Sequence, residues 1–135
     1  MNHTLLGQEW QTLQQCHEQH EKNALLIKLV CVAIFMAGLG LRVPTVWLAC
    51  CVVLLWAQEA IYKTYQSRIA ERLLRVELLL AQASPTLLAM QLHTEWLTRR
   101  PGLAGLIGSY AISACKPTVA FPYVAMLAVG AVIRP

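Results

Sequence analysis

Residues 24–41 (ALLIKLVCVAIFMAGLGL) form an 18-residue apolar run with one charge, Lys28, close enough to its start to reach lipid head groups. As a helix rising ~1.5 Å per residue the run reaches ~27 Å, near the ~30 Å of a hydrocarbon core. Gly38, Gly40, Arg42 and Pro44 then punctuate the chain before a second apolar run, 45–57 (TVWLACCVVLLWA), which continues toward Tyr62. So short a connection forces an antiparallel hairpin. Trp47 and Trp56 fall near opposite ends of the second span, where interfacial aromatic residues lie.

Composition agrees with lipid as the solvent. Of 135 residues 57% are hydrophobic and 13% charged, with mean hydropathy +0.51, whereas soluble domains carry about 25% charged residues. The fold class expected is all-α: an integral membrane helical protein with a two-span hairpin, a cytoplasmic helical arm and a C-terminal third span. All seven acidic residues are Glu, so mechanisms that need Asp, such as a Walker B carboxylate or a Ser/His/Asp triad, have no residue to use. P-loop, G-x-S-x-G and H-E-x-x-H patterns are absent as well, and no enzyme activity is expected. Five cysteines without C-x-x-C spacing read as reduced and structural.

Four segments follow. Residues 1–23 read as a polar lead-in helix with Leu6, Trp10 and Leu13 on one face; it lacks the basic start and cleavage site of a secretory signal and is expected to stay uncleaved. Residues 24–62 are the hairpin, and its second helix is expected to run on past Tyr62 into the arm, since KTYQSRIAERLLRVELLLAQ holds no Pro or Gly and is rich in strong helix formers. Residues 63–100 form the arm, in which Ile61, Tyr65, Ile69, Leu73, Val76 and Leu80 recur at helical spacing opposite Lys63, Gln66, Ser67 and Arg75, with Glu71 supporting the helix through Arg75. Ser84-Pro85 is expected to break that helix before another runs to about Thr98. In residues 101–135, the stretch 103–115 is too short to span and 118–133, with Pro122 inside, is the better third span. The former reads as an interfacial or re-entrant segment, or the two as one kinked element.

Basic residues set the orientation. Lys22 and Lys28 flank the first span and Lys63, Arg68, Arg72, Arg75, Arg99 and Arg100 follow the second, against Arg42 at the tip and Arg134 at the end. The positive-inside rule puts the N-terminus and the arm in the cytoplasm. The formal charge of +4 is spread over membrane flanks instead of a stripe interleaved with aromatics, so no direct nucleic-acid binding is expected.

Three constellations are candidates for function. Cys16, His17 and His20 share a helix face at zinc-ligand spacing, but nothing nearby completes a coordination shell, so no metal or other cofactor is expected. Glu59, with Lys63 one turn on and Lys28 at the same expected depth, is either a pore or gating group or a snorkelling carboxylate paired with Lys63. Small residues four apart, Ala33 and Ala37, and Gly105, Ser109 and Ser113, let helices approach closely in lipid. With the arm's apolar stripe they are the candidates for oligomer packing.

The stretch Trp56-Ala-Gln-Glu59-Ala60-Ile61-Tyr62, followed by Arg68, Glu71-Arg72-Leu73 and Arg75, resembles the SLATT group of small bacterial membrane proteins over roughly residues 20–80. In that group an aromatic and an acidic residue end a two-helix membrane hairpin and a Tyr/Arg/Glu-rich cytoplasmic helix follows. The resemblance implies an effector of bacterial conflict and phage defence that oligomerises and permeabilises the inner membrane. The apolar segment 103–133 departs from a plain two-span plan. The leading expectation is thus a homo-oligomeric inner-membrane protein whose hairpin lines or gates a pore; the rival is a non-conducting anchor that docks a cytoplasmic protein partner through the arm.

Overall fold

The computed structural model describes residues 2–81, 92–99 and 101–133. Its elements are α1 (Asn2–Gly40), α2 (Thr45–Leu80), α3 (Leu92–Arg99), α4 (Leu103–Ala114) and α5 (Pro117–Val132), with no strand among the described residues. No break separates the lead-in from the first span, nor the second span from the arm. From Gln8 to Ala37 and throughout α2 the sequence holds neither Gly nor Pro, so nothing removes a helical hydrogen bond at the expected boundaries. The Ser84-Pro85 break lies outside the described residues.

At 39 and 36 residues, α1 and α2 run ~58 and ~54 Å. Both contain stretches long and apolar enough to cross a membrane, and both exceed a ~30 Å hydrocarbon core by about 25 Å. The excess is the arm: the first half of α1 paired with the second half of α2.

The hairpin tip closes α1 with the Val43 N–H on the Gly38 carbonyl at 2.9 Å and the Arg42 N–H on Leu39 at 3.1 Å. These are the two bonds of a Schellman cap, a motif that places one residue in the left-handed region. That residue is Arg42, at φ 55°, and not one of the nearby glycines. Pro44 then starts α2. Gly38 serves the packing instead: a Cβ there would strike the Leu48 side chain, so the two helices close most tightly where α1 offers no side chain.

Two cores lie along the hairpin. Near the tip, Cys31, Phe35, Leu48, Val52, Tyr123 and Met126 join α1, α2 and α5. In the arm, Leu6 and Leu13 of α1 meet Val76 and Leu79 of α2, with Trp10, Ile69, Leu73 and Leu80 packed around them. Four members of the expected stripe are therefore taken up by α1 of the same chain. Tyr65 is 45% exposed instead, beneath the Arg68 guanidinium. Helices α4 and α5 are bent 71° at the break around Lys116, and together they are a bent span or a re-entrant element; α5 alone, at 16 residues, reaches only ~24 Å.

In the arm water supplies the driving force, at about 1.5–3 kcal/mol for each large side chain buried. Leu6→Asp or Val76→Asp, at side chains wholly buried there, is expected to destabilise the arm by about 3–5 kcal/mol. Leu74→Asp and Leu78→Asp, at positions 60% and 67% exposed, are expected to cost under about 0.5 kcal/mol. Hydrogen exchange across residues 4–20 and 66–80 measures the difference.

Candidate functional site

The site begins with a proline. Pro122 lies inside α5, and a proline has no N–H to donate to the carbonyl one turn earlier. That carbonyl belongs to Thr118, and the Lys28 ammonium donates to it at 2.8 Å from α1. The same ammonium meets Glu59 Oε1 at 3.0 Å, as a charge contact and not an aligned hydrogen bond. On the other carboxylate oxygen, Oε2, Tyr123 donates its hydroxyl at 2.6 Å. Glu59 and Tyr123 are completely buried and the Lys28 side chain is 24% exposed, so three helices contribute one side chain each to a polar cluster that opens only at its Lys28 edge, beside Lys22 and Lys63.

The depth of the cluster makes it costly. Glu59 stands 14 residues into α2 and Lys28 12 residues before the end of α1, which puts them ~21 and ~18 Å from the tip. Were the charged tip to sit at one boundary of a ~30 Å hydrocarbon core, both positions would fall inside it. An ionised group there is expensive and has to face a partner. Each finds one: Lys28 has a carboxylate and a carbonyl, and Glu59 has an ammonium and a phenol.

Further polar contacts continue toward the arm. Trp56 stacks on Tyr123, with ring centroids 6.1 Å apart and planes at 10°, and donates its indole N–H to the Ala114 carbonyl at 3.1 Å. The carbonyl it meets belongs to the last turn of α4, whose end is otherwise short of helical donors. The Thr64 hydroxyl donates to the Ala60 carbonyl at 2.9 Å and accepts from the Ser113 hydroxyl at 2.8 Å, tying α4 to α2. In the arm, Arg72 Nε donates to Glu9 Oε1 at 2.8 Å, with the two side chains 2% and 5% exposed. Trp10 donates to Glu77 at 3.0 Å.

Among the residues singled out from sequence, Lys28 and Glu59 come together and Lys63 does not join them. Lys63 donates to Gln66 Oε1 at 2.8 Å, so the proposed Glu59 and Lys63 pair is replaced by Lys28 and Glu59. The physical reason is the facing of α2: Glu59 points into the three-helix junction while Lys63 is only half-buried at its edge. His20 turns its Nδ1–H onto the Cys16 carbonyl at 2.7 Å and sets its ring edge-on to Tyr62, and Gln66 donates to the His17 carbonyl. Among the described residues no three His, Cys, Asp or Glu side chains converge on a metal position.

Ala33 and Ala37 are exposed, and so is Gly105, whose added Cβ would meet the Pro101 ring. Ser109 bonds back to the Gly105 carbonyl, and Ser113 is buried against Thr64. Ile61 is half-buried. Tyr123, Thr118, Glu9 and Arg72 were not singled out. Pro122 was the readable signal for Thr118 alone, since it announces a free carbonyl four residues earlier.

Comparison with protein-family models, with curated proteins and with solved structures gave no match.

Removing one member of a buried ion pair costs about 3–5 kcal/mol, while replacing both by apolar residues is often neutral. Lys28→Met and Glu59→Leu are therefore each expected to destabilise the detergent-solubilised protein by that amount, and Lys28→Met/Glu59→Leu to recover most of the loss. Thermal unfolding followed by circular dichroism checks this; additive losses in the double variant would mean that the two charges do not act as a pair.

Proposed function

We propose that the chain is a non-conducting helical-hairpin anchor of the bacterial inner membrane, with its N-terminus and arm in the cytoplasm, and that the arm docks a protein partner there. The observation that carries this reading is the pairing of Lys28 with the buried Glu59 and Tyr123 inside one chain. A pore needs polar groups turned toward a shared lumen, but here the two charges deepest in the apolar zone neutralise each other within one chain. The outward side chains along the two apolar runs include Leu25, Leu26, Leu29, Val32 and Met36 of α1 and Val46, Val53 and Leu54 of α2, which suit lipid and not water.

The arm supports the second half of the reading. It continues both spans without a hinge for about 25 Å, and its own core leaves Leu74 and Leu78 more than half exposed beside the Glu71 and Arg75 pair. A rigid two-helix post with an apolar strip suits a protein partner. In this reading α5 is inserted beside the hairpin, where Tyr123 meets Glu59, and α4 lies at the arm-side boundary with Leu103, Ile107 and Ile112 outward.

The competing reading is the oligomeric, membrane-permeabilising effector that the SLATT-like resemblance implies. It requires subunits to surround a lumen, and the exposed Ala33 and Ala37 face offers a close approach for them. Flux separates the two. Full-length protein reconstituted in potassium-loaded vesicles is expected to release ions no faster than empty vesicles and to cross-link as a monomer. Release that rises with protein content and changes in Glu59→Gln would establish the pore instead.

A further inference from the structure

Where α4 crosses α2, a cleft of about 260 Å³ is lined by Ser67, Arg68, Glu71, Trp96, Ile112 and Lys116, among others. Two cations face it and one carboxylate, and that carboxylate, Glu71, is already 3.8 Å from Arg75. The Arg68 guanidinium carbon sits over the Trp96 ring at 3.6 Å from its centroid and 5.0 Å from that of Tyr65. Stacking holds the faces of a guanidinium but leaves its in-plane N–H donors free for an oxyanion. Lys116, at the bend between α4 and α5, is exposed.

Depth identifies the anion. Arg68 stands 23 residues into α2, ~35 Å from the tip, just past a ~30 Å hydrocarbon core and at the level of lipid phosphates. Lys116 sits one turn from Ser113, which bonds Thr64, 19 residues into α2 and hence ~28 Å from the tip. Ile112, 70% exposed, gives the cleft an apolar wall on its membrane side, and a tryptophan at its rim suits the interface. A basic, half-open cleft between helices at this level matches the charge and shape of a phospholipid head group.

We propose that this cleft holds the phosphate of an anionic phospholipid from the arm-side leaflet, gripped by Arg68 and Lys116 with its acyl chains along Ile112. The site rests on the reading of the chain as a membrane protein and tells which lipid collects around it. It fastens α4 and, through Trp96, α3 to the membrane surface.

Native mass spectrometry of the full-length protein, titrated with phosphatidylglycerol and with phosphatidylcholine, tests the site. Phosphatidylglycerol is expected to bind about tenfold more tightly. Arg68→Gln/Lys116→Gln should erase that preference, and Arg68→Lys/Lys116→Arg should keep most of it. Lys116→Gln alone, at an exposed position, should reduce the preference about threefold without loss of helicity, which keeps the test valid if the double variant fails to fold.

An unchanged preference in these Gln variants, or an equal loss in Lys22→Gln, overturns the site. Displacement of phosphatidylglycerol by millimolar inorganic phosphate would assign the cleft to free phosphate and overturn the lipid. Release of the protein from vesicles by alkaline carbonate would instead sink the membrane reading itself. Protein that stays embedded but shows no lipid preference sinks the cleft alone.

Discussion

The Lys28 and Glu59 ion pair is the contact on which the three-helix junction depends. Glu59 is wholly buried, and in the membrane reading proposed above lipid would offer its charge no water, so the pair has to be complete before the helices can sit at that depth. The ammonium and carboxylate alone do not complete it. The remaining carboxylate oxygen needs the Tyr123 hydroxyl and the ammonium needs the Thr118 carbonyl, and both come from α5. The hairpin therefore has a chemical reason to hold α5 that apolar packing would not supply, because lipid tails compete equally well for apolar surfaces. Pro122, which weakens α5 as a helix, is part of that reason, since it leaves free the carbonyl that Lys28 uses.

The two halves of the hairpin are held by different physics. Toward the tip, close approach at Gly38 and interlocking of Phe35, Leu48 and Val52 act through van der Waals contact. In the arm, exclusion of water drives Leu6, Leu13, Val76 and Leu79 together. Trp56 and Thr64 lie between these regimes and bind α4 through its end and its Ser113 hydroxyl. Trp56 donates from α2 to a carbonyl that the end of α4 leaves without a helical donor, and Thr64 shares a hydroxyl–hydroxyl bond with Ser113.

The apolar runs and the short connection made the hairpin legible in the sequence, because period and length respond directly to a ~30 Å apolar layer. The arm's apolar stripe was legible as a packing face. Its partner was not, because Leu6, Trp10 and Leu13 lie more than fifty residues away and a hydrophobic stripe carries no address. The segment edge expected at 23 failed to appear as a break, and α2 runs on past Tyr62 as its composition predicts, for one reason: a change in polarity is not a change in backbone geometry, and only Gly, Pro or a cap ends a helix. At Glu59 the nearest basic residue one turn away was the natural partner on an isolated helix. The structure chose Lys28 because tertiary burial decides which face of α2 is dry. Arg72 and Glu9 escaped notice because charged residues in a polar segment look solvated until a second helix covers them.

Those two buried ion pairs also fix the register of the hairpin. Glu59 and Arg72 are 13 residues apart on α2, ~20 Å along its axis, and each meets its own partner on α1. Apolar side chains alone would tolerate a slip of one helical turn with modest repacking. Such a slip would part both pairs at once, leaving a charge unpaired in lipid and another in the arm's dry core, and each orphaned charge costs several kcal/mol. The charges therefore select one alignment among several that packing would accept, as a polar residue in a coiled-coil seam does. Both helices pass from one pair to the other without a break, so no loop lies between the two pairs to absorb a mismatch in that alignment.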